Sequence, residues 1–284
     1  MGKKGLSCLE ALISFSKNDL KKIVYARDNN VENDYSSEIT SLCDKNNISY
    51  TNKKDFNYDE LNEVDYFIAI SWRWMINNDL NKLIVLHDSI LPKYRGFNPL
   101  VSALINGENE IGVTAIFANK EFDRGDIIDY KKININYPIK IEEAINKISI
   151  CYQELLIEII KKIQNKTIQP IKQNEENASY SLWRDEEDYF IDWELDSKTI
   201  ERTINALGFP YTGAKTTMDN QTIIITEAEA IEDVKIINRT PGKIMFFEQE
   251  LPVIVCGKGL LKIKEIKSLQ NKTLKISKFR TRLK

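Results

Sequence analysis

The sequence predicts an α/β chain in two parts: a layered domain with a mostly parallel sheet, then a smaller β-rich domain. Three observations carry this. Short apolar runs alternate with amphipathic stretches through roughly the first 165 residues, the pattern of strands and covering helices. Residues 161–177, rich in Gln, Asn and Lys, break that alternation and read as a linker. Beyond them short strands dominate, and Cys256-Gly257-Lys258-Gly259 gives a hairpin signal. Domains are therefore expected at 1–165 and 178–284.

Taken in order, Gly2-Lys3-Lys4-Gly5 leads into Leu6, Leu9, Leu12, Ile13 and Phe15, an apolar face at helical spacing. A glycine turn with two lysines at a helix start would seat a phosphate, which makes Lys3 and Lys4 candidate substrate contacts. A solvated terminus explains them equally well. Residues 22–26 read as a strand, 39–43 as a short helix and 48–50 as a short strand. Tyr66-Phe67-Ile68-Ala69-Ile70 is unbroken apolar sequence, the mark of a strand buried on both faces. Its exit, Ser71-Trp72-Arg73-Trp74-Met75-Ile76, is either simple packing or a flat apolar slot for an aromatic ligand.

Leu83-Ile84-Val85-Leu86 runs straight into His87, the one histidine of 284 residues, and Pro92 and Gly96 then stop regular structure. Ligands bind at the carboxyl ends of strands in parallel α/β sheets, so His87 is a candidate functional residue. An idle histidine is the alternative. It is disfavoured by the rigid loop that follows and by the dense Phe122-Asp123-Arg124-Gly125-Asp126 downstream. That second segment is an Asp-Gly turn by composition, with or without chemistry. Helices are expected at 99–106 and 141–163, strands at 111–118 and 127–130. In the second part a helix is expected at 199–207 and strands at 222–226, 242–247, 253–256 and 260–266.

Composition narrows the function classes. The net charge of −2 gives no electrostatic footprint for a polyanion, so no nucleic-acid partner is expected. Cys8, Cys43, Cys151 and Cys256 lie far apart without CxxC spacing, so neither a metal site nor a disulfide framework is indicated. They read as small buried apolar residues of a reducing cytoplasm. No apolar run approaches the roughly 18 residues of a membrane span, and the amino terminus is not a signal peptide.

His87-x-Ser89-Ile90-Leu91-Pro92-x-Tyr94-Arg95-Gly96, followed by Pro99, Asn106-Gly107-Glu108, Gly112-Val113-Thr114 and Asp123-x-Gly125-Asp126-Ile127, resembles the formyltransferase family. That family uses N10-formyltetrahydrofolate and includes methionyl-tRNA formyltransferase and the amino-sugar N-formyltransferases. The resemblance implies a Rossmann-like first domain and an OB-like β-barrel second domain. It also implies a strand before the first helix, which this sequence lacks.

Formyl transfer to an amine needs a base for the ammonium and a donor for the developing oxyanion. By resemblance His87 is the base and Asp123 its carboxylate partner, with Asp88 and Asp126 as competitors for the second role. The loop after the 66–70 strand lines the pterin pocket in the family, which makes Arg73, Trp74, Met75 and Ile76, with Asp126, candidate folate contacts. Ser89, Tyr94, Arg95 and Gly96 join Lys3 and Lys4 as candidate substrate contacts. The family's oxyanion-donating Asn, two residues before the histidine, is Val85 here. Asn98 or a backbone N–H is the candidate replacement.

The resemblance thus implies folate as co-substrate, no metal, and a nucleotide-linked amino sugar as acceptor, the setting of O-antigen synthesis, with room for a homodimer. The alternatives are a methionyl-tRNA formyltransferase and a catalytically weakened binding relative. The acidic Asp185-Glu186-Glu187-Asp188 run argues against tRNA.

Overall fold

The apolar stripe of the first residues forms α1 (Gly2–Ser16), which begins at Gly2 itself, so Gly2-Lys3-Lys4-Gly5 is helix and not a turn. Leu9 of α1 packs with Ile39 and Cys43 of α2 (Ser36–Asn46) and with Ile48, a small core of its own. Between these helices runs β1 (Ile23–Tyr25), paired in parallel with β2 (Tyr50–Asn52). This pair is separate from the main sheet, and no strand precedes α1 among the described residues. The computed structural model describes residues 2–28, 33–74, 76 and 80–284.

The main sheet contains β3 (Phe67–Ile70), β4 (Leu83–His87), β6 (Glu110–Phe117) and β7 (Ile127–Asn134), in the order β3-β4-β6-β7. β3 and β4 are parallel, whereas β6 and β7 each run against their neighbour. The short β5 (Arg95–Gly96) lies between β4 and α3 (Pro99–Asn106) in sequence. α4 (Ile141–Gln164) follows, with Ile148, Leu155 and Ile159 fully buried. β5 pairs in parallel with β8 (Tyr180–Ser181). Three of the five ladders here, β1–β2, β3–β4 and β5–β8, are parallel, as the apolar strand runs predicted.

Contacts divide the chain into two units. The first holds Met1–Leu100, Asn109–Ile135 and Glu143–Leu182. The second holds Val101–Glu108, Asn136–Glu142 and Trp183–Lys284. The segment that reads as a linker is α4 as far as Gln164, and its remainder belongs to the first unit.

In the second unit, α5 (Ser197–Leu207) starts at Asp196, whose carboxylate accepts from Thr199 N at 3.0 Å and caps the first turn. β9 (Ala214–Met218), β10 (Gln221–Ile231), β11 (Ile244–Glu248), β12 (Leu251–Val255), β13 (Leu260–Ser268) and β14 (Thr273–Leu274) form an antiparallel sheet, ordered β11-β12-β13-β10-β9 with β14 on β13. The 256–259 turn joins β12 to β13 as expected. The last residues pair at both edges of this sheet: Met218 of β9 bridges Leu283, and Lys243, just before β11, bridges Arg282. The tail thereby covers part of each edge of this sheet, which leaves less open strand edge.

Candidate functional site

The site is built at the ends of β3 and β4. Successive side chains of a strand alternate faces, so Val85 and His87 share one. His87 stands opposite Thr114 of β6 and is 7% exposed. Its Nε2 lies 2.8 Å from the Tyr94 carbonyl oxygen. A carbonyl only accepts, so the proton of the neutral ring sits on Nε2. The free nitrogen is Nδ1, and it faces Asp123 Oδ1 at 3.4 Å. Asp123 Oδ2 in turn accepts from Gly96 N at 2.8 Å.

The backbone around this pair is unusual. Tyr94, Asn98 and Asp123 have φ of 59°, 48° and 55°, in the left-handed region that non-glycine residues seldom occupy. Glycine is required at two neighbouring points. A Cβ on Gly96 would stand 2.5 Å from Ser181 O, and one on Gly125 would stand 1.6 Å from Phe117 O. Side chains lock the 87–95 loop. Ser89 Oγ donates to Lys93 O at 2.6 Å. Thr114 Oγ1 donates to Ser89 O at 2.6 Å and accepts from Leu91 N at 3.1 Å.

Asp88, a competitor for the carboxylate role, is engaged elsewhere. It takes an ion pair from Lys4 and a hydrogen bond from Tyr152, whose hydroxyl also donates to Leu86 O at 3.1 Å. Burial alone would raise the Asp88 carboxyl, but the Lys4 charge and both hydrogen bonds outweigh it and hold it below its ordinary value. Burial first, and the Asp88 charge second, push the Tyr152 phenol well up. The other competitor, Asp126, accepts from Phe117 N at 3.1 Å through its backbone oxygen.

Two expected substrate contacts are thus internal. Lys4 is committed to Asp88. Arg95 is wholly buried, with its guanidinium on Gln173, Glu175 and Tyr180. A buried guanidinium must be fully paired, and this one is. Ser89 likewise serves the loop, and Tyr94 acts through its backbone carbonyl. Gly96 contributes its N–H to Asp123. Lys3 is half-exposed on α1.

The exit of β3 adjoins that of β4, because Ile70 pairs with Leu86. Trp72 and Trp74 meet edge to face at 5.2 Å, and Lys53 Nζ stands 4.0 Å from the Trp74 ring centre. Arg73 pairs with Asp28 at 2.7 Å. Ile76 is half-buried, while Met75 lies outside the described residues. Ser71 Oγ and Trp72 Nε1 are buried and meet no partner among the described residues. Two orphaned donors beside an aromatic wall suit a flat, acceptor-rich heterocycle such as a pterin. No cluster of metal-ligating residues occurs among the described residues, and no described helix is long and apolar enough to cross a membrane.

Sequence reasoning missed the Tyr94 carbonyl, the Trp72 indole and the Gln173 amide. The first is a backbone group with no side-chain signature. Trp72 lies inside the loop singled out, and its indole is marked only by having no partner among the described residues.

Residues 21–160 match the formyl transferase family, and residues 184–284 match the formyl transferase C-terminal domain. A methionyl-tRNA formyltransferase of Caldanaerobacter subterraneus is 32% identical over 196 residues, 69% of this chain and 62% of that protein. The chain therefore spans under two thirds of that relative's length. Another methionyl-tRNA formyltransferase, of Hydrogenobaculum sp., is 30% identical over 82% of this chain and 78% of its own. In fold, the chain is similar to an N-formyltransferase of Helicobacter canadensis solved with folinic acid and dTDP-3-aminofucose. There the TM-score is 0.68 at 19% identity, over 93% of this chain and 96% of that one. Two matched domains in the family's order, and relatives at about 30% identity, lead to one conclusion: the chain belongs to the formyltransferase family.

Proposed function

We propose that this chain moves a formyl group from N10-formyltetrahydrofolate to the amine of a nucleotide-linked amino sugar. The observation that carries the reading is the His87–Asp123 pair at the end of β4, beside orphaned donors at the end of β3. When bound, the folate supplies an activated formyl group. Ser71, Trp72 and Trp74 would hold its pterin, with Arg73 and Ile76 at the loop's flank.

His87 is the base, and Nδ1 is the atom that acts. With Nε2–H tied to the Tyr94 carbonyl, only Nδ1 has a lone pair for the proton that the attacking amine must lose. Once charged, the imidazolium has Asp123 Oδ1 beside it, and that carboxylate holds the ring's orientation. The proton then leaves from the same nitrogen to the departing amine. Val85 presents no donor on the His87 face, so the developing oxyanion must be met by another group, for which the imidazolium, Asn98 and a backbone N–H are the candidates.

A second reading, methionyl-tRNA formyltransferase, is favoured by the names of the sequence relatives. The net charge of −2 and the acidic 185–188 run weigh against a polyanion acceptor. The test offers N10-formyltetrahydrofolate with a panel of nucleotide-linked amino sugars, and in parallel with initiator Met-tRNA. Mass spectrometry should find a gain of one formyl group on a sugar nucleotide. Formylated Met-tRNA, with binding that falls steeply with salt, would replace this reading by the second.

A further inference from the structure

Residues 171–181 cross both loops of the site. Ile171 exchanges backbone hydrogen bonds with Ile127 at 2.8 Å. Ser179 accepts from Arg95 N at 2.9 Å through its carbonyl and from Tyr94 N at 2.9 Å through Oγ. Glu175 pairs with both Arg95 and Arg124. At the centre lies Gln173. Its Nε2 donates to Asp123 O and to Gly125 O, both at 2.8 Å. Its Oε1 accepts from Arg95 Nε at 3.0 Å and Nη2 at 2.8 Å.

These bonds form a closed circuit. Gln173 holds Asp123 by its backbone and holds Arg95 by its guanidinium, and the N–H of the next residue, Gly96, holds the Asp123 carboxylate. Asp123 sits at φ 55°, a left-handed conformation that costs free energy even for an aspartate, and these bonds offset that cost. The same carboxylate has its other oxygen at His87 Nδ1. We propose that the 171–181 segment is a strap that sets the His87–Asp123 geometry, with Gln173 as a positioning residue that touches no reacting atom. This deepens the formyl-transfer reading and rests on it.

The lone histidine makes the test clean. In protein labelled with nitrogen-15 histidine, the Nδ1 signal reports how much proton that atom holds beside Asp123 at a fixed pH. Asp123→Asn should move this signal toward the neutral imidazole. Gln173→Met, close in length but without the amide, should move it the same way by a smaller amount in a folded protein. Turnover should fall by roughly 10–10² with donor KM unchanged, the effect of a misplaced group. Gln173→Asn, too short to span both loops, is the milder variant should methionine prevent folding.

If Asp123→Asn moves the signal and folded Gln173 variants leave it in place while only lowering thermal stability, the strap is mere scaffolding and this inference falls. If Asp123→Asn itself leaves the signal unchanged, there is no working pair to position. The inference and the functional reading then fall together.

Discussion

Two strand exits lie side by side and are finished in opposite ways. After β4 the loop is tied down by hydrogen bonds: Ser89 binds Lys93, Thr114 binds Ser89 and Leu91, and His87 Nε2 is tied to Tyr94. After β3, Ser71 Oγ and Trp72 Nε1 are buried with none among the described residues. Native structures rarely leave buried donors unpaired, so the second exit has hydrogen-bonding capacity that the proposed folate would use. The contrast separates two tasks. Chemistry needs a fixed histidine and carboxylate, whereas ligand capture needs hydrogen-bonding capacity held open.

The largest effect that bears on this contrast is at His87. His87→Asn should lower transfer by about 10²–10⁴, the usual worth of a positioned acid–base group. Folinic acid affinity, read by calorimetry, should stay the same, because the β3 exit is untouched. Equal loss of binding and turnover would merge the two exits into one functional unit.

The next effect probes the anchor behind β4. Lys4→Met leaves Asp88 without its cation, and should destabilise the fold by about 3 kcal/mol at neutral pH. The sign with pH follows from the depressed carboxyl. Its contribution is fully present above the ordinary value of 3.8 and is lost as pH falls through the lower folded value. Denaturation curves of wild type and Lys4→Met should therefore converge in acid. A gap independent of pH would mean that Lys4 matters for packing alone.

How much of this was legible in the sequence depends on the distance over which each feature is determined. The β4 run, its end at His87 and the 256–259 hairpin are local patterns, and they appear where expected. β9 carries Ala-Lys-Thr-Thr-Met, with no alternation to mark it, and exists because β10 lies alongside. Arg95 is a candidate substrate contact by resemblance, and its complete burial is against the usual exposure of arginine. What buries it, Gln173 and Glu175, lies far along the chain in a polar stretch that composition reads as linker. Strand periodicity therefore places His87 at the end of β4 and resemblance singles out Asp123, while the bonds that orient them are long-range and leave no periodic trace.

Val85→Asn sharpens the contrast from the catalytic side. An amide placed on the His87 face that finds no partner should cost about 1–3 kcal/mol of stability. If the site lacks an oxyanion donor, the same amide should raise turnover despite that cost. A variant both less stable and no faster would show that another donor, such as the imidazolium, already fills the role.

The smallest expected effect is the most specific to the β3 exit. Ser71 sits at φ 49° with its hydroxyl buried and without a partner among the described residues, so on this reading the ligand-free protein carries the desolvation cost of that group. Ser71→Ala removes the hydroxyl without changing the backbone demand, since alanine and serine tolerate that region about equally. The ligand-free protein should therefore become no less stable, and up to about 1 kcal/mol more stable by denaturant titration. Folinic acid should bind several-fold more weakly, because a hydrogen bond of roughly 0.5–1.5 kcal/mol to the ligand is lost. The two signs must be opposite for the exit to be a ligand site. At the β4 exit the equivalent change, Ser89→Ala, breaks a made bond to Lys93 and should lower stability while leaving folinic acid affinity alone. If Ser71→Ala behaved like Ser89→Ala, the hydroxyl would have an internal partner, and the β3 exit would be a packed loop like its neighbour.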